Sequence, residues 1–361
     1  MFSLLVVIII FGGLLIWLKF AGSQNSKNFR KERLTYYHCG IDDKTNKLLK
    51  KILQTRGWKS SKTDFDFYIP CLNDFSLHNF INAYTRNKKR PCYMFYTPGC
   101  SQLGNKQWLW KCVLNHFGRE KAENLMPKTY IFPYDLDIFK KRYHPNKMYI
   151  LKSGKQKQKG LLVTNNYQEI LDYPRAGYYL AQELIPSSLT YREHKLNFRL
   201  YLVIIVRYGK LECYLYPDGI ISYTPDKSKD NSTFNGFVAT FYQSTNLYNS
   251  GYPILISQLV KEMPHEWNNI SKKMAIKLSK VMESVEEGIL SYKLPQDIIA
   301  CQLYGVDFLV DKGLEPHLLE MNFGPGMNPF GRIDKKMRTQ MLNQMINLIF
   351  RNIPGQFSKI F

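Results

Sequence analysis

Hydrophobic and polar positions change period several times along the chain. Between 35 and 95, LTYYHC and FDFYIP read as short strands, and KLLKKILQTRGW between them spaces its apolar residues as a helix does, with Gly57 as a stop. These pieces describe a small α/β unit. A helix is expected around 105–117, followed by the Pro-punctuated MPKTYIFP. From 148 to 223 alternation dominates, in MYILK, GLLV, YYLAQELI, LNFRLYLVIIV and LECYLYPDGIISY, with breaks at Gly209 and Asp218-Gly219 that read as hairpin turns. The pattern predicts an antiparallel sheet. Residues 225–260 carry little pattern; beyond them, 265–293 reads as a long amphipathic helix, CQLYGVDFLVD and HLLEMNF as strands, and 334–351 as a closing helix.

The start of the chain differs in kind. Residues 2–18, FSLLVVIIIFGGLLIWL, hold no charged side chain, and a snorkelling Lys19 lets a helix over 1–20 serve as a transmembrane anchor. A cleaved signal peptide is the alternative, with Ala21-Gly22-Ser23 as the cleavage site, although the basic residues that precede a signal's apolar run are missing. Positive charge follows instead, at Lys19, Lys27, Arg30, Lys31 and Arg33. The positive-inside rule then predicts a single-pass membrane protein whose bulk faces the cytosol. On that side the sequons at Asn231 and Asn269 stay bare.

Composition narrows the classes further. A chain of 361 residues with 45% hydrophobic and 22% charged residues is neither disordered nor collagen-like, and is long enough for a large core. Seven scattered cysteines without a CxxC pair argue against a disulfide framework and against structural zinc. Fifty Lys and Arg against 29 Asp and Glu leave a formal charge of +21, which favours an anionic partner: phosphate, acidic protein tail, nucleic acid or lipid headgroup.

Polar residues stand in three places where apolar ones are expected. In KLNFRLYLVIIV, strand alternation puts Lys195, Asn197, Arg199 and Tyr201 on one face and Leu196, Phe198, Leu200 and Leu202 on the other. An ordinary half-exposed strand gives the same pattern. In GVDFLVDKGLEPHLLEMN, a turn at Lys312-Gly313 would bring Asp307 near Glu320 and Asn322, a hard-oxygen set suited to magnesium. Both acids interrupt apolar runs, where an unpaired carboxylate is costly. In MYILKSGKQKQKGLLV, Lys152 ends a strand, and a basic, glycine-containing loop through Lys159 and Gly160 follows, able to fold over a polyphosphate without being a Walker A loop. Together the three describe one site for Mg-ATP.

The order of these residues resembles an ATP-grasp ligase, specifically the tubulin tyrosine ligase and ligase-like family, over roughly residues 92–350. LGNKQWLWKCV with MPKTYIFP is similar to the family's early block, ILKSGKQKQKG to its phosphate-binding lysine and loop, and AQELI to its nucleotide hinge. KLNFRLYLVI is similar to its Lys-Phe-Asp-Ile-Arg strand, and LYGVDFLVDKGLEPHLLEMN to its metal signature. The resemblance implies an α+β fold, ATP-grasp-like, with antiparallel sheets flanked by helices and preceded by the small α/β domain and the transmembrane helix. Its divisions would be an anchor at 1–20, a basic linker at 21–34, the N-terminal domain at 35–95, a central domain at 96–200, a C-terminal domain at 201–352 and a tail at 353–361. It implies that Lys152, Lys159 and Gly160 hold phosphates, with Lys106 a further phosphate contact. Gln182, Glu183, Leu184 and Ile185 would form the adenine hinge, Lys195 and Asn197 touch adenine or ribose, and Arg199 act on the terminal phosphate. Asp307, Glu320 and Asn322 would ligate Mg2+.

The implied reaction joins a free amino acid to a protein carboxylate through an acylphosphate, on an acidic acceptor such as a tubulin tail. Three positions depart from the family pattern. Asn197 stands where the family has an Asp, an Arg is usual near Ser222 in YLYPDGIISY, and Val238-Ala239-Thr240-Phe241 only echoes a His-Leu-Thr-Asn segment. A catalytically inactive, membrane-tethered binder of acidic tails is the alternative these departures support. Nucleic-acid binding would rest on charge and on Arg86, Lys88, Lys89 and Arg90 alone, without a recognisable motif. His144, His194 and His317 read as surface or loop residues rather than acid–base groups.

Overall fold

The computed structural model describes residues 34–38, 44–70, 77–89, 91–153, 160–185, 187–227 and 244–361. Two sheets organise them. The smaller is antiparallel, in the order β5 (Thr129–Ile131), β8 (Tyr178–Glu183), β6 (Tyr149–Ser153), β7 (Leu161–Thr164), and encloses an aromatic core of Tyr130, Phe132, Phe139 and Tyr149. The larger has eleven strands. Its centre is β10 (His194–Arg207), antiparallel to β13 (Ile298–Val310), which is antiparallel in turn to β14 (Pro316–Phe323).

The apolar pattern of β10 explains the layers. From Leu202 to Val206 the strand is buried on both faces, the mark of a sheet covered on both sides. The Pro264–Leu290 helix covers one face, packing Trp267, Ile270, Met274 and Leu278 against Leu202 and Ile204. The Arg332–Arg351 helix covers the other, packing Met337, Met341 and Met345 against Tyr201, Val203 and Ile205.

The α/β unit expected at 35–95 supplies β1 (Thr35–His38), β2 (Lys59–Ser60), β3 (Phe67–Ile69) and β4 (Cys92–Met94), all joined in parallel. Its strands extend the large sheet, because β4 pairs in parallel with β13 at Ile298–Ala300. The large sheet is therefore mixed: antiparallel around β10, parallel at its β1–β4 edge. The division expected between 200 and 201 falls inside β10, whose hydrogen-bond ladder runs unbroken across it.

The break at Gly209 is a hairpin turn, with Tyr208 and Gly209 both at positive φ between β10 and β11 (Lys210–Leu215). Asp218-Gly219 is not. β11 pairs with Leu202–Arg207 and β12 (Ile220–Tyr223) with Leu196–Arg199, so the two follow one another along the same edge of β10. Gly219 lies so close to the Arg199 carbonyl that a Cβ there would overlap it. Asp218 fixes the step by accepting from Ser257 N at 3.0 Å and Ser257 Oγ at 2.7 Å.

The expected anchor at 1–20 and the linker up to residue 33 lie outside the described residues, as do Lys159, Asn231 and Val238–Phe241. Among the described residues no helix is long and apolar enough to cross a membrane.

Candidate functional site

Adjacent registers bring distant residues together. Arg199 on β10 faces Asp307 on β13, Asp307 faces Glu320 on β14, and Asn322 follows two residues later on the same side. The Arg199 guanidinium grips the Asp307 carboxylate with two donors, Nε to Oδ1 and Nη2 to Oδ2, the latter at 2.6 Å. Asn322 Nδ2 bridges Asp307 Oδ2 at 2.9 Å and Glu320 Oε1 at 3.0 Å. Lys106 Nζ reaches Glu320 Oε2 at 2.7 Å. This lysine opens the Lys106–Phe117 helix, where the Asn105 side chain caps the N–H groups of Gln107 and Trp108.

Lys152 comes from the other sheet and is buried, 8% exposed. Its Nζ donates to Gln182 Oε1 at 2.7 Å, and Gln182 Nε2 donates to Thr129 Oγ1 at 2.8 Å. Gln182 thus spends its side chain holding the lysine. Burial drives the Lys152 pKa down to about 8, partly opposed by Glu320 and reinforced by Lys106. Burial also works against charge on Lys106, but there the touching Glu320 carboxylate outweighs it and the pKa rises. Burial favours a protonated Glu320, yet Lys106, Lys152 and the Asn322 amide hold its pKa at about 2. At Asp307 burial prevails over Arg199 and raises the pKa. The guanidinium itself is disfavoured by burial but kept charged by Asp307, with its pKa raised.

The remaining expected residues flank this cluster. Glu183 N–H donates to Lys128 O and Leu184 N–H to Met148 O, both at 2.9 Å, so these two hinge donors are already engaged. The Glu183 carboxylate accepts from Tyr130 Oη at 3.2 Å and Lys147 Nζ at 2.9 Å. The Ile185 carbonyl accepts from Ser188 Oγ at 3.3 Å. Gly160, at φ +88°, accepts from Ser153 N at 2.9 Å and closes the base of the basic loop. Lys195 is buried, which lowers its pKa, and shares a strand face with Asn197 and Arg199. Asn197 stands directly opposite Ser222.

Several contributors escape pattern reading. Gly305 lies beside Arg199: a Cβ there would come within 2.8 Å of Arg199 Cδ and 3.1 Å of Pro325 Cβ. An isolated glycine inside an apolar strand is the signal that could have found it. Thr129 and the buried Asp334–Arg338 pair offer no such signal. Of the histidines, His144 is an exposed loop residue, but His194 is buried in β10 with Nδ1 2.7 Å from Thr224 O, and His317 sits in β14 against Asp311.

Among the described residues no three His, Cys, Asp or Glu side chains cluster. Two carboxylates and one amide, ringed by three cations, suit magnesium, which prefers few protein oxygens plus water and substrate phosphates. The donor chemistry fits that ion.

A family model described as "Tubulin-tyrosine ligase family" matches residues 88–360, which contain every side chain of the cluster. Among curated proteins, "Tubulin polyglutamylase ttll-4" of Caenorhabditis briggsae is 25% identical over 285 residues, 73% of this chain and 47% of its own length. "Probable tubulin polyglutamylase TTLL2" of Mus musculus is 23% identical over 342 residues, 86% of this chain and 61% of its own. "Tubulin monoglutamylase TTLL4" of Homo sapiens is 21% identical over 331 residues, 84% of this chain and 27% of its own. The chain spans about half the length of the first two of these relatives.

Proposed function

Since the chain belongs to the tubulin-tyrosine ligase family, we propose that it is an ATP- and magnesium-dependent ligase that joins an amino acid to a protein carboxylate. The observation that carries this reading is the single cluster of Lys106, Lys152, Arg199, Asp307, Glu320 and Asn322, assembled from two sheets and one helix N-terminus. The names of the relatives support glutamate as the amino acid and tubulin as the acceptor, and the formal charge of +21 suits an acidic segment of it.

In this reading an acceptor carboxylate oxygen bonds to the γ-phosphorus of ATP, the bond to the β-bridging oxygen breaks, and ADP leaves. The amine of the incoming amino acid then attacks the acyl carbon, losing a proton, and inorganic phosphate departs. Such phosphoryl transfer asks for positioning and charge neutralisation rather than a protein nucleophile. Arg199, oriented by Asp307, and Lys152, oriented by Gln182, neutralise phosphate oxygens; Lys106 stands ready on the Glu320 side. Asp307, Glu320 and Asn322 would hold magnesium, which when bound shields the triphosphate charge. Lys195 and Asn197 contact the base or ribose, and Glu183, Leu184 and Ile185 line its edge. Lys159 and Gly160 belong to the loop over the phosphates.

Glu320→Gln keeps the shape and removes the charge. It is expected to lower amino-acid-dependent ATP consumption by at least about 10²-fold and to lower the melting temperature while keeping one cooperative transition, because Lys106 loses its carboxylate partner. Turnover equal to the wild type would refute the assignment. The apolar run at 2–18 further supports membrane anchoring, tested by whether the full chain stays in the membrane pellet after alkaline washing.

A further inference from the structure

Two arginine–aspartate pairs flank Tyr201, which shares its side of β10 with Arg199. One is Arg199 with Asp307. The other lies in the first turns of the Arg332–Arg351 helix, where Arg338 Nε donates to Asp334 Oδ1 at 2.6 Å and both residues are buried. Burial raises the Tyr201 pKa; the Arg338 and Arg199 charges oppose that rise and the Asp334 and Asp307 charges add to it, so all four act on one phenol. The Arg338 guanidinium lies 5.9 Å from the ring centre.

The second pair spends its remaining atoms on a loop. Arg338 Nη1 donates to Gly326 O at 2.6 Å, and Asp334 Oδ2 accepts from Phe330 N at 3.0 Å. The 324–330 stretch, which starts two residues after Asn322, is thereby tied down near both its ends. Gly326 and Phe330 are themselves exposed, so water could satisfy these two backbone groups without the pair. Stability does not account for it either, since two buried charges give little or nothing over apolar side chains of the same volume. What the pair adds is a fixed position for the loop. That position bears on the cluster. Measured from where a Cβ on Gly305 would stand, Arg199 Cδ is 2.8 Å away and the Cβ of the buried Pro325 is 3.1 Å away. Proline ring and arginine stem lie side by side over the glycine.

We propose that Asp334 and Arg338 are positioning residues for Arg199, acting through the 324–330 loop, whose Pro325 confines the arginine stem. The inference rests on the ligase reading only for what Arg199 does once placed. In that reading the guanidinium turns from Asp307 towards a phosphate oxygen. Its stem then needs a restraint that does not depend on Asp307, and the tethered proline supplies one.

Placement is measurable apart from turnover. In the nucleotide-free full chain, the solvent exchange of the Arg199 Nε–H is followed by 15N NMR, its resonance assigned by its loss in R199K. D334L/R338M replaces the pair by apolar groups, an exchange that buried pairs tolerate far better than loss of one partner. It is expected to melt cooperatively while the Arg199 Nε–H exchanges about tenfold or more faster. With ATP, magnesium, amino acid and acceptor supplied, kcat is expected to fall by about 10- to 10²-fold. KM for ATP should change by less than about threefold, the split that follows when a transition-state contact is lost. Wild-type exchange in the folded double variant sinks the proposal. Should that variant melt early, P325A, which keeps both charges and removes only the ring beside Gly305, decides by the same exchange measurement, and an unchanged rate there overturns it equally. Faster exchange with undiminished kcat would instead take Arg199 away from the phosphate, refuting that part of the ligase reading and leaving the positioning role standing.

Discussion

Burial presses on Lys152 and Lys106 alike, and the partner decides the outcome. Lys106 touches a carboxylate and stays charged; Lys152 touches a neutral amide and drops to about 8. Between about 8 and the ordinary 10.5 the unfolded chain keeps this proton and the folded chain does not, so the lysine's contribution to stability improves as pH rises through that window. Phosphate binding needs the charged ammonium and runs the other way. Nucleotide affinity by calorimetry is expected to fall as pH passes about 8, and Lys152→Gln to bind weakly at every pH with no such fall; a flat wild-type profile would remove Lys152 from the phosphates. A second pairing is visible at this scale. Asn197 and Ser222 are cross-strand partners, both uncharged, so neither presents an orphaned charge to the other. Asn197→Asp alone should destabilise, and adding Ser222→Arg should recover part of the loss, with a coupling of about 0.5–3 kcal/mol in urea denaturation. Strict additivity would show that the two do not interact.

At the scale of elements, β10, β13 and β14 act as a ruler. Each long strand places one end in a two-sided core and the other beneath the cluster, so packing at Leu202–Val206 fixes the register of Arg199. Register by itself is insufficient, because Arg199 must cross the surface of β13 at Gly305 to reach Asp307. Gly305→Ala is expected to cost about 1–3 kcal/mol by overpacking and to lower nucleotide affinity by displacing the guanidinium. Normal affinity in the folded variant would mean that the side chain has another route. The isolated Gly in LYGVDFLV carried this information in the sequence, but only its neighbour across the strand gives it meaning.

For the whole molecule, the decisive joint is β4 on β13. Through it the 35–95 segment shares two hydrophobic clusters with the large sheet and its covering helices: Phe67 and Ile69 lie in one with Met345 and Ile349, and Phe65 and Phe80 in the other with Val281 and Met282. A chain beginning at residue 96 would leave the Ile298–Ala300 edge and both clusters open. It is expected to aggregate or to melt without a cooperative transition, followed by circular dichroism. A sharp transition in that fragment would show that the first strands are dispensable.

The sequence by itself determined the elements and their chemistry. Period-two and helical spacing located the strands at 148–206 and 298–323 and the helices near 105, 265 and 334, since these patterns depend on neighbours a few residues away. It also marked Arg199, Asp307, Glu320 and Lys152 as charges placed in apolar strands, where only a partner makes them tolerable. Only the tertiary structure decided who those partners are: Asp307 for Arg199, Lys106 for Glu320, Gln182 for Lys152. It alone laid β11 and β12 along one edge and joined β4 to β13. Pairings across 30 to more than 200 residues depend on strand order, which the competition among all the apolar faces for cover settles and no local period records.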